Sequence, residues 1–476
     1  MQFNSYSYLL LLIAVVPLFW LLPMGWRRAY VMLLSFGFYA TWNPYFIILP
    51  LAVCGVAFAA GGPILKGGSG SGRALWSGVG AIIAILVFFK YGRFITENIT
   101  ALLHGFDPSA ATTIWRIALP LGISFYSFEA ISYLLDLRQG RLKTVGFGDL
   151  CLFIAFWPHL IAGPIVRTRE LIPQLKFNRA FDTRLIYEGL DRLLLGLAQK
   201  NLIANTIGAW VDDGFVPNFA STNTTIDNWA LAVGFGIQIY FDFSAYSNMA
   251  IGTSKLIGIT LPENFRFPYH AATPSDFWSR WHMTLSRWIR DYIFFPLNAR
   301  YGGRGIRLYL SLIGVMGVVG LWHGAGWGFI LWGLMHGTYL ALFRAFEAWR
   351  GPDWNKSFGP RVLCRMLTLV AVFAAWIPFR AASIGQALAM LERMFIRFSG
   401  GYSYSVNFYL MVAFWCGWIA VEPLIGRWLA RADSAGNAGL IGRTNLMLLR
   451  PAGYSVLLLF FVMFDDRDMQ FIYFQF

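Results

Sequence analysis

Six histidines supply all the imidazoles in a chain of 476 residues, and two of them stand where a ring can do proton chemistry. His323 lies in LWHGAGWG, inside the stretch 308–343, which contains no Asp, Glu, Lys or Arg. In a helix entered near Leu308, a rise of about 1.5 Å per residue puts this ring roughly 20–25 Å along, near the middle of a bilayer. A titratable side chain at that depth is a functional-site hypothesis by default, and Gly324, Gly326 and Gly328 beside it supply a helix break. His282 lies in TPSDFWSRWHMTLSRWIRDYIFFPL. That segment reads as one amphipathic helix with Thr273 as N-cap, Pro274 at the first position and Asp276 returning the capping bond. Arg280, Thr284, Arg287 and Asp291 then share one face, and Trp278, His282, Leu285 and Ile289 the opposite one, so His282 points inward.

Two inward histidines suit transfer of a group onto a hydroxyl. A neutral imidazole with a pKa near 6.5 takes the hydroxyl proton as the oxygen attacks a thioester carbonyl, then returns a proton to the leaving thiol. The chain has no G-x-S-x-G elbow, so no conventional serine nucleophile is offered. Cys54, Cys151, Cys364 and Cys416 are scattered through apolar runs, which suits buried packing and indicates neither a metal site nor a disulfide framework.

Two further clusters accompany the histidines. YFDFSAYSNMAIG brings Asp242, Tyr246 and Asn248 to the end of the apolar run 228–241, and FWPHLIAGPIVR sets His159 ahead of a Gly163–Pro164 break and Arg167. Either cluster can line a cavity; capping and helix packing explain them equally well. His104, His270 and His336 have structural readings.

The elements that must position these groups are membrane helices. The chain is 57% hydrophobic and only 13% charged, with a mean hydropathy of +0.55. Soluble domains carry about twice that charge. The 20 Trp, 43 Phe and 48 Gly fit interfacial belts and closely packed membrane helices. The net charge of +14 sits in short loops between apolar runs, a topology signal and not a nucleic-acid footprint. Candidate spans are 7–24, 29–41, 45–60, 75–91, 114–135, 149–166, 186–206, 228–241, 308–343 as a pair, 362–379, 404–422 and 452–464. These give an all-α polytopic protein of about 10–13 transmembrane helices. The first span reads as retained, with the N-terminus outside and Arg27–Arg28 in the cytoplasm. Basic segments 167–185 and 253–307 are expected inside. Segment 211–227, with three Asp and no Lys or Arg, is expected outside.

The run RWHMTLSRWIRDYIFFPL, followed 41 residues after His282 by LWHGAGW, resembles the membrane-bound O-acyltransferase family, in particular its bacterial polysaccharide O-acetylation branch. LPLGISFYSFEAISYLLDLRQG, FWPHLIAGPIVR and YFDFSAYSNMAIG extend the likeness from MQFNSYSYLL to roughly residue 345. The resemblance implies one membrane domain over 1–476, with motifs in 1–345 and further helices in 346–476. It implies a ring of tilted helices around a central funnel, with re-entrant and interfacial helices. His323 takes the part of the essential histidine, His282 that of the second, and Trp322 lines the cavity. The reaction implied moves acetyl from a cytoplasmic thioester, acetyl-CoA, with no bound cofactor. It serves an extracytoplasmic polysaccharide such as alginate or cellulose, from the bacterial inner membrane, through a periplasmic SGNH-type partner. Arg287 and Arg290 are candidates for the donor phosphates. Asn248 stands where the branch has Asp, which questions any role there that needs a charge. D-alanyl or peptidoglycan acyl transfer is the alternative within the family. A histidine-relay transporter is the alternative outside it, but it calls for acids inside spans and internal symmetry, and the chain has little of either.

Overall fold

The computed structural model describes residues 1–106, 114–115, 117–143, 145–216, 222–303, 305–351, 354, 357–436 and 471–472. All regular elements among them are helical. Among the described residues, six helices are long and apolar enough to cross a membrane: Pro44–Lys66, Ser71–Phe106, Ile306–His323, Trp327–Arg350, Phe358–Arg380 and Val406–Leu424. The span expected over 452–464 lies outside the described residues. Other expected spans form helices that are shorter or more polar. The run 149–166 divides into Phe147–Ala155 and Trp157–Leu160, because Pro158 has no N–H to give the carbonyl of Ile154. The run 228–241 belongs to a longer helix, Thr225–Leu256, whose polar residues Gln238, Asp242, Asn248 and Thr253 are buried.

The chain forms two compact units, Met1–Leu193 with Tyr246–Pro262, and Leu194–Ala245 with Glu263–Phe476. In the first, small residues let helices meet closely. A methyl group added at Gly78 would lie 2.8 Å from the Ala60 Cβ and 3.0 Å from the Leu134 Cδ1, so Ile48–Lys66 and Ser71–Leu86 approach closely and the Leu134 side chain of Ile123–Arg138 packs on the same spot. Phe3 stacks between Tyr8 and Tyr246, at 4.5 and 4.8 Å, and the Tyr8 hydroxyl meets that of Thr253 at 2.9 Å.

The second unit is organised by a hairpin of Ile306–His323 and Trp327–Arg350. A methyl at Gly320 or Gly333 would strike a backbone carbonyl of the other helix, and at Gly337 it would come within 2.6 Å of the Ile313 Cα. Glycine is required here for close approach. Gly324 and Gly326 are both extended, so the uncharged stretch 308–343 breaks where its glycines indicated. His323 is therefore the last residue of its helix, about 25 Å from the first. A single helix this long spans most of the hydrocarbon, so the depth of His323 depends on tilt and the midplane does not follow from length alone.

The expected single helix through His282 is three pieces. Pro274–Trp278 ends one turn after its N-cap, Met283–Ile289 follows, and a π-helical turn at Arg290–Phe294 leads into Phe295–Tyr301. Thr273 caps as expected, accepting from the Asp276 N–H, and the Asp276 carboxylate accepts from Ala272 N–H one residue further back. The break lies at His282 itself, whose φ of 41° and ψ of 53° are left-handed. Periodicity continues through the break, which is why the pattern looks unbroken. Trp278, His282, Leu285 and Ile289 are all buried, but so is Thr284, which the helical face had assigned to the charged side.

Candidate active site

The left-handed turn at His282 is held by an extended neighbour. Arg266 N–H donates to the Arg280 carbonyl and Met283 N–H to the Asn264 carbonyl, both at 2.9 Å, so segment 264–266 pairs with the break between the two helices. A non-glycine residue in this conformation costs of order 1–3 kcal/mol and persists only where its surroundings over-determine it.

The Asn264 side chain then fixes the state of the ring. Its Oδ1 accepts from Thr284 N–H at 3.3 Å and from the Thr284 hydroxyl at 2.9 Å, and lies 3.0 Å from His282 Nδ1. A backbone N–H can only donate, so the atom facing it is the amide oxygen. Nδ1 must therefore carry the proton, and Nε2 keeps its lone pair. That Nε2 is buried and has no hydrogen-bond partner among the described residues. Burial holds the His282 pKa well below the usual imidazole range, to about 3, so the ring is a neutral, unspent base at working pH.

His323 is 3% exposed and walled by aromatics. Its ring centroid lies 5.0 Å from Trp322 and from Trp332, 5.5 Å from Phe379 and 6.4 Å from His282. Phe243 meets His282 edge to face at 4.6 Å. The two histidines thus share one buried, aromatic-lined site at the end of the Ile306–His323 helix.

The other expected site residues divide. Asp242 belongs to this unit. It pairs with Lys200 at 2.6 Å and accepts from Ile472 N–H at 2.7 Å, and its neighbour Phe243 is the ring against His282. Both members of the ion pair are almost fully buried, and Lys200 arrives there on the π-helical turn Gln199–Ala204. Such turns occur disproportionately at functional sites. Tyr246, Asn248 and His159 belong to the first unit. Tyr246 stacks on Phe3, Asn248 Oδ1 accepts from Arg192 at 2.7 Å, and His159 lies 2.8 Å from the buried Glu129. An amide oxygen serves Arg192 as a carboxylate would, which accounts for Asn248 without a charge. Arg287 and Arg290 are exposed. Arg287 donates to the carbonyls of Met283 and Glu263, while Arg290 pairs with Asp291 at 2.9 Å.

Asn264 and Lys200 were missed in the sequence. Asn264 sits in LPENFRFPYH, between two prolines that mark an extended segment but give no periodic signal. Asn264→Ala should leave the three donors around it without their acceptor, costing about 1–3 kcal/mol for each buried group, and should lower activity by freeing the tautomer. Asn264→Asp keeps the acceptor and adds a charge beside Nδ1, so it should retain more activity than Ala and raise the His282 pKa. Denaturation measured against pH reads this directly. Unfolded histidine takes a proton near pH 6.5 and the folded ring only near 3. The stability this neutral ring contributes is therefore complete above pH 6.5 and falls as pH drops, by roughly 2 kcal/mol at pH 5. Asn264→Asp should shrink that acid loss. An unchanged pH dependence would remove Asn264 from this role.

Membrane-length helices and two adjoining buried histidines make this a polytopic helical membrane protein with a candidate acid–base site. The chain belongs to the membrane-bound O-acyltransferase family, whose model matches residues 82–377, and it is an acyltransferase. It is 37% identical over 404 residues to the probable alginate O-acetylase AlgI of Azotobacter vinelandii, covering 83% of this chain and 78% of that one. It is 35% identical to the peptidoglycan O-acetyltransferase of Helicobacter pylori, over 77% of this chain and 73% of the relative. The teichoic acid D-alanyltransferase of Bacillus subtilis is 31% identical, over 53% of this chain and 64% of its own length.

Proposed function

We propose that the protein is an O-acetyltransferase of the bacterial inner membrane that takes acetyl from a cytoplasmic thioester, acetyl-CoA, and delivers it for O-acetylation of an extracytoplasmic polysaccharide. The observation that carries this reading is the buried pair of histidines, one of them a neutral base with a free Nε2 lone pair. The likeness to the O-acetylating relatives covers about four fifths of the chain, against about half for the D-alanyl relative, which favours acetyl over D-alanyl.

In the reaction, an acceptor hydroxyl oxygen attacks the thioester carbonyl. His323 takes the hydroxyl proton, the carbon–sulfur bond breaks, and the thiolate leaves with a proton returned from the imidazolium. His282 supports the first histidine from 6.4 Å away as orienting or auxiliary base. Coenzyme A is too polar to cross, so only the acetyl group passes. A periplasmic partner of the SGNH type, with a serine-based site, carries it to sugar hydroxyls. Purified protein given labelled acetyl-CoA and the partner should transfer label to an oxygen ester. Label moving only from a D-alanyl thioester would replace acetyl by D-alanyl.

The topology follows the charges. In a background lacking the native cysteines, Ser221→Cys should react with an impermeant reagent in intact cells, and Thr183→Cys should not. Residue 221 lies outside the described residues; Thr183 begins a helix. Labelling of Thr183→Cys from outside would invert the arrangement.

A further inference from the structure

We propose that the second unit carries a binding site for an anionic membrane phospholipid, one acyl tail seated in an apolar crevice and the phosphate on Arg290. The crevice is about 110 Å³ and lies between the His282-bearing helices and the central hairpin. Its walls come from Leu285, Ile289, Met316, Val319 and Leu340, with Arg290 the one charged residue on the lining among the described residues. A dry 150 Å³ cavity of this kind holds benzene, so the crevice takes about four carbons of a chain.

The occupant follows from what surrounds it. Both hairpin helices that line it are long and apolar enough to span a membrane, and nearby Leu310, Leu342 and Phe295 are more than half exposed. In a membrane chain such side chains face hydrocarbon, so the chain at hand is a lipid tail. The charge beside it selects the head. From Arg280 to Arg307 the sequence carries six arginines and a single acid, Asp291. Basic residues at the headgroup level attract anionic lipid.

A donor acyl group fits the crevice less well. Trp278 closes its inner side, and Trp332 stands 5.7 Å from Trp278 and 5.0 Å from His323, so an aromatic layer separates crevice and histidine. A seated tail would instead brace the Met283–Ile289 helix one turn beyond the left-handed His282. Arg290 is thereby assigned to lipid and not to donor phosphates.

The test uses the full chain in lipid nanodiscs doped with phosphatidylglycerol or phosphatidylcholine bearing a diazirine along one acyl chain, with crosslinks mapped by mass spectrometry. Wild type should crosslink at Met316 or Leu340, with phosphatidylglycerol ahead by roughly fivefold. Arg290→Gln should remove the headgroup preference but keep the crosslink, and Met316→Trp should abolish the crosslink. Equal labelling by both lipids, unaltered in Arg290→Gln, would reduce the crevice to an annular surface. Displacement of the probe by added coenzyme A would return Arg290 to the donor. Crosslinking needs no turnover, so its failure leaves the acetyl-transfer reading standing, and loss of acetyl transfer would leave the lipid site standing.

Discussion

His323→Ala should abolish acyl transfer while the protein still inserts, expresses and elutes as a single species. The ring ends the Ile306–His323 helix and is enclosed by Trp322, Trp332 and Phe379. General-base catalysis is worth about 10²–10⁴-fold, so the variant should keep less than a hundredth of wild-type kcat. The helix should survive, since position 323 is its last residue and carries no mid-helix burden. Retention of more than about a tenth of the activity would show that His323 is not the general base. His323→Gln separates the roles further. Glutamine keeps polarity and approximate size but cannot carry a proton between hydroxyl and thiol, so it should be as inactive as alanine.

The second large effect belongs to His282. Alanine there removes the lone pair held on Nε2 and leaves Asn264 Oδ1 with one donor fewer, so activity should fall by about 100-fold, the low end of general-base catalysis. The loss should be less complete than at position 323, because this ring supports the first. The left-handed backbone allows a control. His282→Gly tolerates φ of 41° without strain, so it should fold at least as well as His282→Ala and be equally inactive. Glycine would then recover stability relative to alanine without recovering activity, which a packing role does not predict. Full activity in either variant would reduce His282 to packing.

His323 stands out in the sequence because imidazoles are scarce here and charge is excluded around it, and His282 because it falls on the apolar face of an amphipathic pattern; neither observation needs a structure. The hairpin of 308–343 was legible for a related reason, since thirty-six uncharged residues exceed one span and the glycines mark the turn. What was not legible depends on contacts between distant segments. The helical period fits the residues from Trp278 to Ile289, yet the backbone breaks at His282 because 264–266 pairs with it, and pairing leaves no trace in periodicity. Asn264 was missed for the same reason. Asp242 was visible as a carboxylate at the end of an apolar run, but its partners Lys200 and Ile472 come from 42 residues before it and 230 after it. His159 and Asn248 looked like cavity residues because polar groups in membrane helices are rare; each is explained by a partner close at hand, Glu129 and Arg192.

The central claim is that these histidines move an acetyl group from a cytoplasmic donor to the far side of the membrane. Inside-out vesicles test it most directly, with labelled acetyl-CoA supplied outside and the acceptor, with its serine-based partner, sealed in the lumen. Label should accumulate on the lumenal acceptor, and His323→Ala should stop it. Label found only on acceptors on the donor's own side would contradict the account and place the enzyme's substrate in the cytoplasm or within the membrane.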